Sequence, residues 1–118
     1  MDKQATGKAG QKAAETLLKN KGYQIITRNF HSRTGEVDLV ARDGDYIVFV
    51  EVKARHNLNY GYPREAITPT KQKRIIKTAL AFLTFYSLTD SNIRFDVIEV
   101  LLRDGQVYTS HIENAFTG

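Results

Sequence analysis

Apolar residues recur along this chain in two rhythms. From about Thr6 to Lys21 they fall three and four apart. Gly10, Ala13, Ala14, Leu17 and Leu18 make one stripe and Gly22 follows as a stop, the pattern of a helix whose small residues let it lie close to a sheet. Tyr23 to Phe30 alternates around Ile25 and Ile26 and predicts a first strand. Two more strands, about Glu36 to Arg42 and Asp45 to Lys53, flank Asp43-Gly44, because Asp-Gly between apolar runs is a strong hairpin signal. Thr68-Pro69 opens a second helix, with Thr as cap and Pro at the first helical position. Its core stripe is Ile75, Ile76, Ala79, Leu80, Leu83 and Tyr86. Ile93 to Leu102 is a strand apolar on both sides, and Asp104-Gly105 turns it into a last strand near Gln106 to Ile112. The order αβββαββ predicts an α/β fold, a mixed sheet of about five strands with two main helices, one on each side or both on one.

The stretch Gly35 to Arg55 carries the chemistry. With Asp43-Gly44 as a two-residue loop, Arg42 faces Asp45, Asp38 faces Phe49 and Glu36 faces Glu51. Side chains alternate along a strand and facing residues share a side, so Glu36, Asp38, Glu51 and Lys53 lie on one face. Asp38 and Glu51 become diagonal neighbours roughly 7–8 Å apart at the backbone, a span one cation can bridge. Ile47 and Phe49 precede Glu51 on this side, while Tyr46, Val48, Val50 and Val52 fill the other. A strand apolar on both sides reads as the buried middle of a sheet, where two carboxylates and an ammonium are expensive unless a metal or each other compensates. Taken alone, Glu-x-Lys is common in strands and usually marks an exposed ion pair worth little. Glu36 reads equally as a partner behind the acids or as a solvated strand end.

Composition adds a mild bias. Seventeen Lys and Arg against thirteen Asp and Glu leave a net charge of +4, a tilt towards polyanions that many proteins share without binding nucleic acid. There is no cysteine, so disulfide frameworks and thiolate metal sites are excluded. The polar start Met1-Asp2-Lys3-Gln4-Ala5 lacks the apolar core of a signal peptide, and no run reaches membrane-spanning length. One domain over residues 1–118, cytoplasmic and without a membrane partner, is the expectation.

Cations gather after the acids. Ala54 to Thr68 has little periodicity, and Arg55, His56, Tyr60, Tyr62 and Arg64 mix cations with aromatics there. Such a mixture suits stacking on unpaired bases and gripping phosphates, or else covers a core edge. Lys71, Lys73, Arg74 and Lys77 crowd the start of the second helix, where the helix dipole already places partial positive charge, so they read as phosphate contacts or as a solvated basic face. Glu15, at the edge of its helix stripe, reads as an i to i+4 partner of Lys19. Asp96 pairs most simply with Arg94 on its own face.

Asp38 followed by Glu51-Val52-Lys53 on two strands of a hairpin resembles the PD-(D/E)xK active site of restriction-endonuclease-like nucleases, with Val37 where the motif's name has Pro. The wider pattern is Ala14-Glu15, then GEVDLV, VFVEVKAR and RFDVIEV, spanning about Gly7 to Val100. It resembles the bacterial YraN-like family, itself related to archaeal Holliday junction resolvases. The resemblance implies a restriction-endonuclease-like core and a nuclease dependent on Mg²⁺ or Mn²⁺, acting on DNA and, by analogy with the resolvases, on branched or junction DNA. A homodimer is expected if junctions, with two symmetric strands to cut, are the substrate. Asp38, Glu51 and the Val52 carbonyl would hold the metal, Glu15 would be an additional metal-site acid, and Lys71 matches a lysine position of the family. Lys53 would orient the attacking water or neutralise the phosphate oxygens. The alternatives are a non-catalytic nucleic-acid-binding or scaffold module with the same fold, and an enzyme acting on RNA.

Overall fold

Thr68 caps the second helix as its sequence predicts: its side chain accepts a hydrogen bond from the Lys71 N–H at 3.2 Å, and Pro69 follows at the first helical position. The computed structural model describes residues 3–56 and 67–117, so expectations for Tyr60, Tyr62 and Arg64 lie outside the described residues. The elements are α1 (Lys3–Asn20), β1 (Gln24–Ser32), β2 (Gly35–Asp43), β3 (Tyr46–Arg55), α2 (Pro69–Phe85), β4 (Asn92–Arg103) and β5 (Gln106–Phe116). Among the described residues no helix is long and apolar enough to cross a membrane.

The five strands form one mixed sheet in the order β1-β2-β3-β4-β5. Among the described residues only β3 and β4 run parallel, and α2 lies in the crossover that such a pair requires. The helices take opposite faces. Ala14 and Leu18 of α1 pack on Leu39, Ala41, Val48, Val50, Ile98 and Val100. Ile75, Ala79, Phe82 and Leu83 of α2 pack on Val37, Val40, Ile47, Phe49, Phe95 and Val97. Both faces of β3 are thus buried, as its uninterrupted apolar run requires. The architecture is compatible with a restriction-endonuclease-like core.

The small residues of α1 do what their size allows. Gly10 lies so close to β3 that an added Cβ would collide with the Cβ of Ala54.

The two Asp-Gly hairpins differ. Asp104 (φ 53°) and Gly105 (φ 74°) are both central residues of the β4–β5 turn, with Arg103 opposite Gln106, the pairing expected of a type I′ loop. In the β2–β3 hairpin the expectation is corrected: Asp43 pairs with Tyr46, so the central residues are Gly44 and Asp45. Gly44 has φ 57° and Asp45 does not share the positive value, the arrangement of a type II′ turn with Gly first.

Candidate active site

The hairpin correction moves the pairing by one residue on each strand. That even total keeps Glu51 and Lys53 on the face of Ile47 and Phe49, but Glu36, expected to share that face, instead bonds Asn29, which is tied to Gln11 of α1. Its consequence is local: the ladder runs Arg42–Ile47, Ala41–Val48, Val40–Phe49 and Leu39–Val50, so the next residues to meet are Asp38 and Glu51 directly rather than on a diagonal. Regular pairing stops there. Val37 packs with Val40 in the α2-side core, although Leu39 belongs to the α1 side, so β2 changes face at Asp38. In the fork that opens, Asp38 Oδ2 accepts the Val52 N–H at 2.8 Å. Asn29, beside this point on β1, takes φ 51° and donates to Glu36 Oε1 at 2.9 Å, while exchanging amide hydrogen bonds with Gln11 of α1.

Two half-buried carboxyls therefore meet in this fork. Burial raises the Asp38 pKa, the Val52 N–H opposes that rise, and the nearby charge of Glu36 adds to it. Burial and the charge of Asp38 push Glu51 up to about 8, so without a cation the pair keeps a proton at neutral pH. Lys53 approaches Glu51 Oε1 at 3.6 Å, both side chains less than a fifth exposed. Lys71, reaching in from the first turn of α2, contacts Lys53; that second ammonium and burial lower its pKa, against the pull of Glu51 and Asp38. Two acids and two ammoniums thus converge on the α2 face of the sheet. Hard oxygen donors that repel one another suit a divalent cation such as Mg²⁺ or Mn²⁺, whose remaining positions water can fill.

The family model for the uncharacterised protein family UPF0102 matches residues 10–100. The chain belongs to that family. It corresponds to the YraN-like pattern read from the sequence. A UPF0102 protein of Trichlorobacter lovleyi is 50% identical over 115 residues, covering 96% of this chain and 91% of its own. One of Geobacter sulfurreducens is 50% identical over 111 residues (93% and 87%), and one of Clostridium acetobutylicum 47% identical over 112 (93% and 92%).

The remaining predicted residues of this UPF0102 chain fall in different places. Glu15 gives its carboxylate to Arg28 of β1, at 2.7 Å from Nη2 and 2.8 Å from Nε, instead of pairing with Lys19 as its helix spacing suggested. Among the described residues no three His, Asp or Glu side chains converge as a group able to hold a metal, so the expected third acid is not assembled with Asp38 and Glu51. Val52, expected to offer its carbonyl, meets Asp38 through its N–H. Arg55 ends β3 beyond Lys53, and Glu99 on β4 is the register partner of Lys53. On α2, a step of about 100° per residue separates Lys71 from Lys73 and Lys77 by roughly 200° and 240°. Arg74 stays on the near side, its Cβ above Gly35 of β2.

Two features escaped the sequence reading. The Gln11–Asn29–Glu36 chain beside Asp38 was invisible because it joins three elements; an Asn inside a strand pattern is its one signal. Asp96 does pair with Arg94, Oδ1 to Nε 2.9 Å, but it is fully buried on the α1 face and also accepts His111 Nε2 at 2.7 Å and the Asn114 N–H at 2.9 Å. Arg94 continues to Asp43 and to the Tyr23 hydroxyl, and Lys21 Nζ lies 2.9 Å from His111 Nδ1. This network lies across the sheet from Glu51, on the α1 face, and no buried polar side-chain atom is left unpaired among the described residues.

Proposed function

We propose that this protein is a metal-dependent endonuclease that hydrolyses phosphodiester bonds in DNA, with Asp38 and Glu51 holding Mg²⁺ or Mn²⁺. The observation that carries the reading is the direct meeting of these two half-buried carboxyls in the β2–β3 fork, with Lys53 and Lys71 beside them. When bound, such a cation lowers the pKa of a coordinated water and acts as a Lewis acid towards the phosphate. The Val52 N–H fixes Oδ2 of Asp38, which leaves Oδ1 to share a ligand with Glu51. Lys53 and Lys71 bring ammonium donors to the phosphate oxygens, where charge grows during the reaction. With a divalent cation added to two carboxylates and two ammoniums, the site is net positive and suits a phosphodiester. Arg74, Lys73 and Lys77 extend that charge along α2 and would grip the flanking backbone.

Branched or Holliday junction DNA is the substrate class favoured by the family resemblance, and it carries the proposal of a homodimer. Labelled duplex, flap, single-stranded and four-way DNA, incubated with and without Mn²⁺, tests the reading. Cleavage that needs the metal and disappears in Asp38→Asn and Glu51→Gln, while salt-sensitive binding persists, is the expected result. Binding without cleavage in the wild type assigns the fold to a scaffold module instead. Cleavage confined to RNA replaces the substrate class.

A further inference from the structure

Beside the acids lies a hollow of about 190 Å³ lined by Ile67, Gln72, Val97, Ile112, Ala115 and Phe116. It is smaller than the ~300–1,000 Å³ typical of drug-sized ligands, and suits one planar ring better. Register fixes its place. Val97 is the partner of Glu51 across β3–β4, and Ile112 the partner of Val97 across β4–β5, so Glu51, Val97 and Ile112 sit side by side on adjacent strands. With strands about 4.8 Å apart, the hollow begins one strand from Glu51 and ends two strands away. That is the span between a phosphate and the base of its own nucleotide.

The lining suits a base. Phe116 stacks on Phe95 with ring centroids 5.1 Å apart, giving a flat aromatic wall backed by the core. Gln72 follows Lys71 in the first turn of α2; its Nε2 donates to the Ile67 carbonyl at 3.2 Å. The second amide hydrogen and Oε1 provide one donor and one acceptor, the pair that reads a base edge.

We infer that this hollow holds one unstacked base of the bound strand, next to the phosphate at Asp38 and Glu51, with the Gln72 amide on its edge. The inference rests on the nuclease reading and deepens it: the substrate is a strand whose base is free to leave the stack, as in single strands, flaps and junction arms. A duplex must first break a pair to fill the hollow.

The test uses single-stranded DNA with 2-aminopurine at successive positions, bound to the full chain carrying Asp38→Asn so that the strand stays intact. Emission is expected to change at one position, and that change to vanish in Ala115→Trp, which fills the hollow from an exposed site on β5. Removing that single base, or Gln72→Ala, is expected to weaken binding about tenfold, within the range for one stacked base. Circular dichroism confirms that both variants fold. Emission and affinity unaffected by Ala115→Trp, Gln72→Ala and base removal, on a strand the protein binds tightly, overturn the inference and leave the nuclease reading standing. Absence of binding to any nucleic acid overturns both.

Discussion

Val52 donates its N–H to Asp38 across the β2–β3 fork at 2.8 Å, so the strand that carries Glu51 and Lys53 also fixes the acid opposite them. Backbone geometry, rather than side-chain reach, brings the two carboxyls together.

That meeting has a pH signature. Glu51, ordinarily near 4.5, is pushed up to about 8 in the folded protein, so its contribution to stability is fully present below 4.5 and is lost as pH rises through 8. Denaturant unfolding of the metal-free protein from pH 5 to 9 is expected to show declining stability. Glu51→Gln, neutral and of the same shape, is expected to flatten that decline. Mn²⁺ affinity, followed by calorimetry, is expected to rise over the same interval because the shared proton must leave.

Lys71 and Lys73 separate chemistry from grip. Lys71→Ala is expected to slow cleavage roughly 10- to 100-fold, the worth of a charged hydrogen bond of about 1.5–3 kcal/mol. Lys73→Ala and Lys77→Ala point away from the acids and are expected mainly to weaken binding. Each should lower the slope of log affinity against log salt by about one. Single-turnover rates and salt titrations distinguish the two behaviours.

The Asp96 network predicts a stability defect unrelated to cleavage chemistry. Asp96→Ala leaves Arg94 and His111 without their buried acceptor and is expected to destabilise by about 3–5 kcal/mol. Burial alone would raise the Asp96 pKa, but hydrogen bonds from His111, Arg94 and the Asn114 N–H outweigh it and hold it below the usual value. Its contribution is therefore present above pH 3.8 and is lost as pH falls through the lower folded value. Acid unfolding midpoints of wild type and variant measure the difference.

Gly10→Ala tests the contact between α1 and β3. Helix propensity favours Ala by about 1 kcal/mol, but the collision with Ala54 forces the backbones apart. A net loss of about 1–2 kcal/mol is expected from overpacking of this kind. Ala54→Gly in the same chain is expected to restore part of it, measured by thermal unfolding.

The fold was legible because local signals agreed: the α1 stripe, the Thr68-Pro69 cap and the doubly apolar β3 each specify one element. The shared face of Asp38, Glu51 and Lys53 was legible because parity survives a slip of one residue on both strands. The turn was not. Asp43-Gly44 and Asp104-Gly105 are the same dipeptide, yet Gly44 is the first central residue and Gly105 the second, a choice set by how the flanking strands pack. Glu15 shows the same limit. Its neighbour in sequence, Lys19, is a helical turn away, but Arg28 comes from the next strand and takes the carboxylate. Partners from distant elements, such as His111 for Asp96, leave no periodicity to read.

The touch between Gly10 and Ala54 falls one residue past Lys53, so the reverse of the strand bearing Glu51 and Lys53 has α1 as a close-packed backstop. Across relatives, bulk gained at either of these two positions should be matched by bulk surrendered at the other.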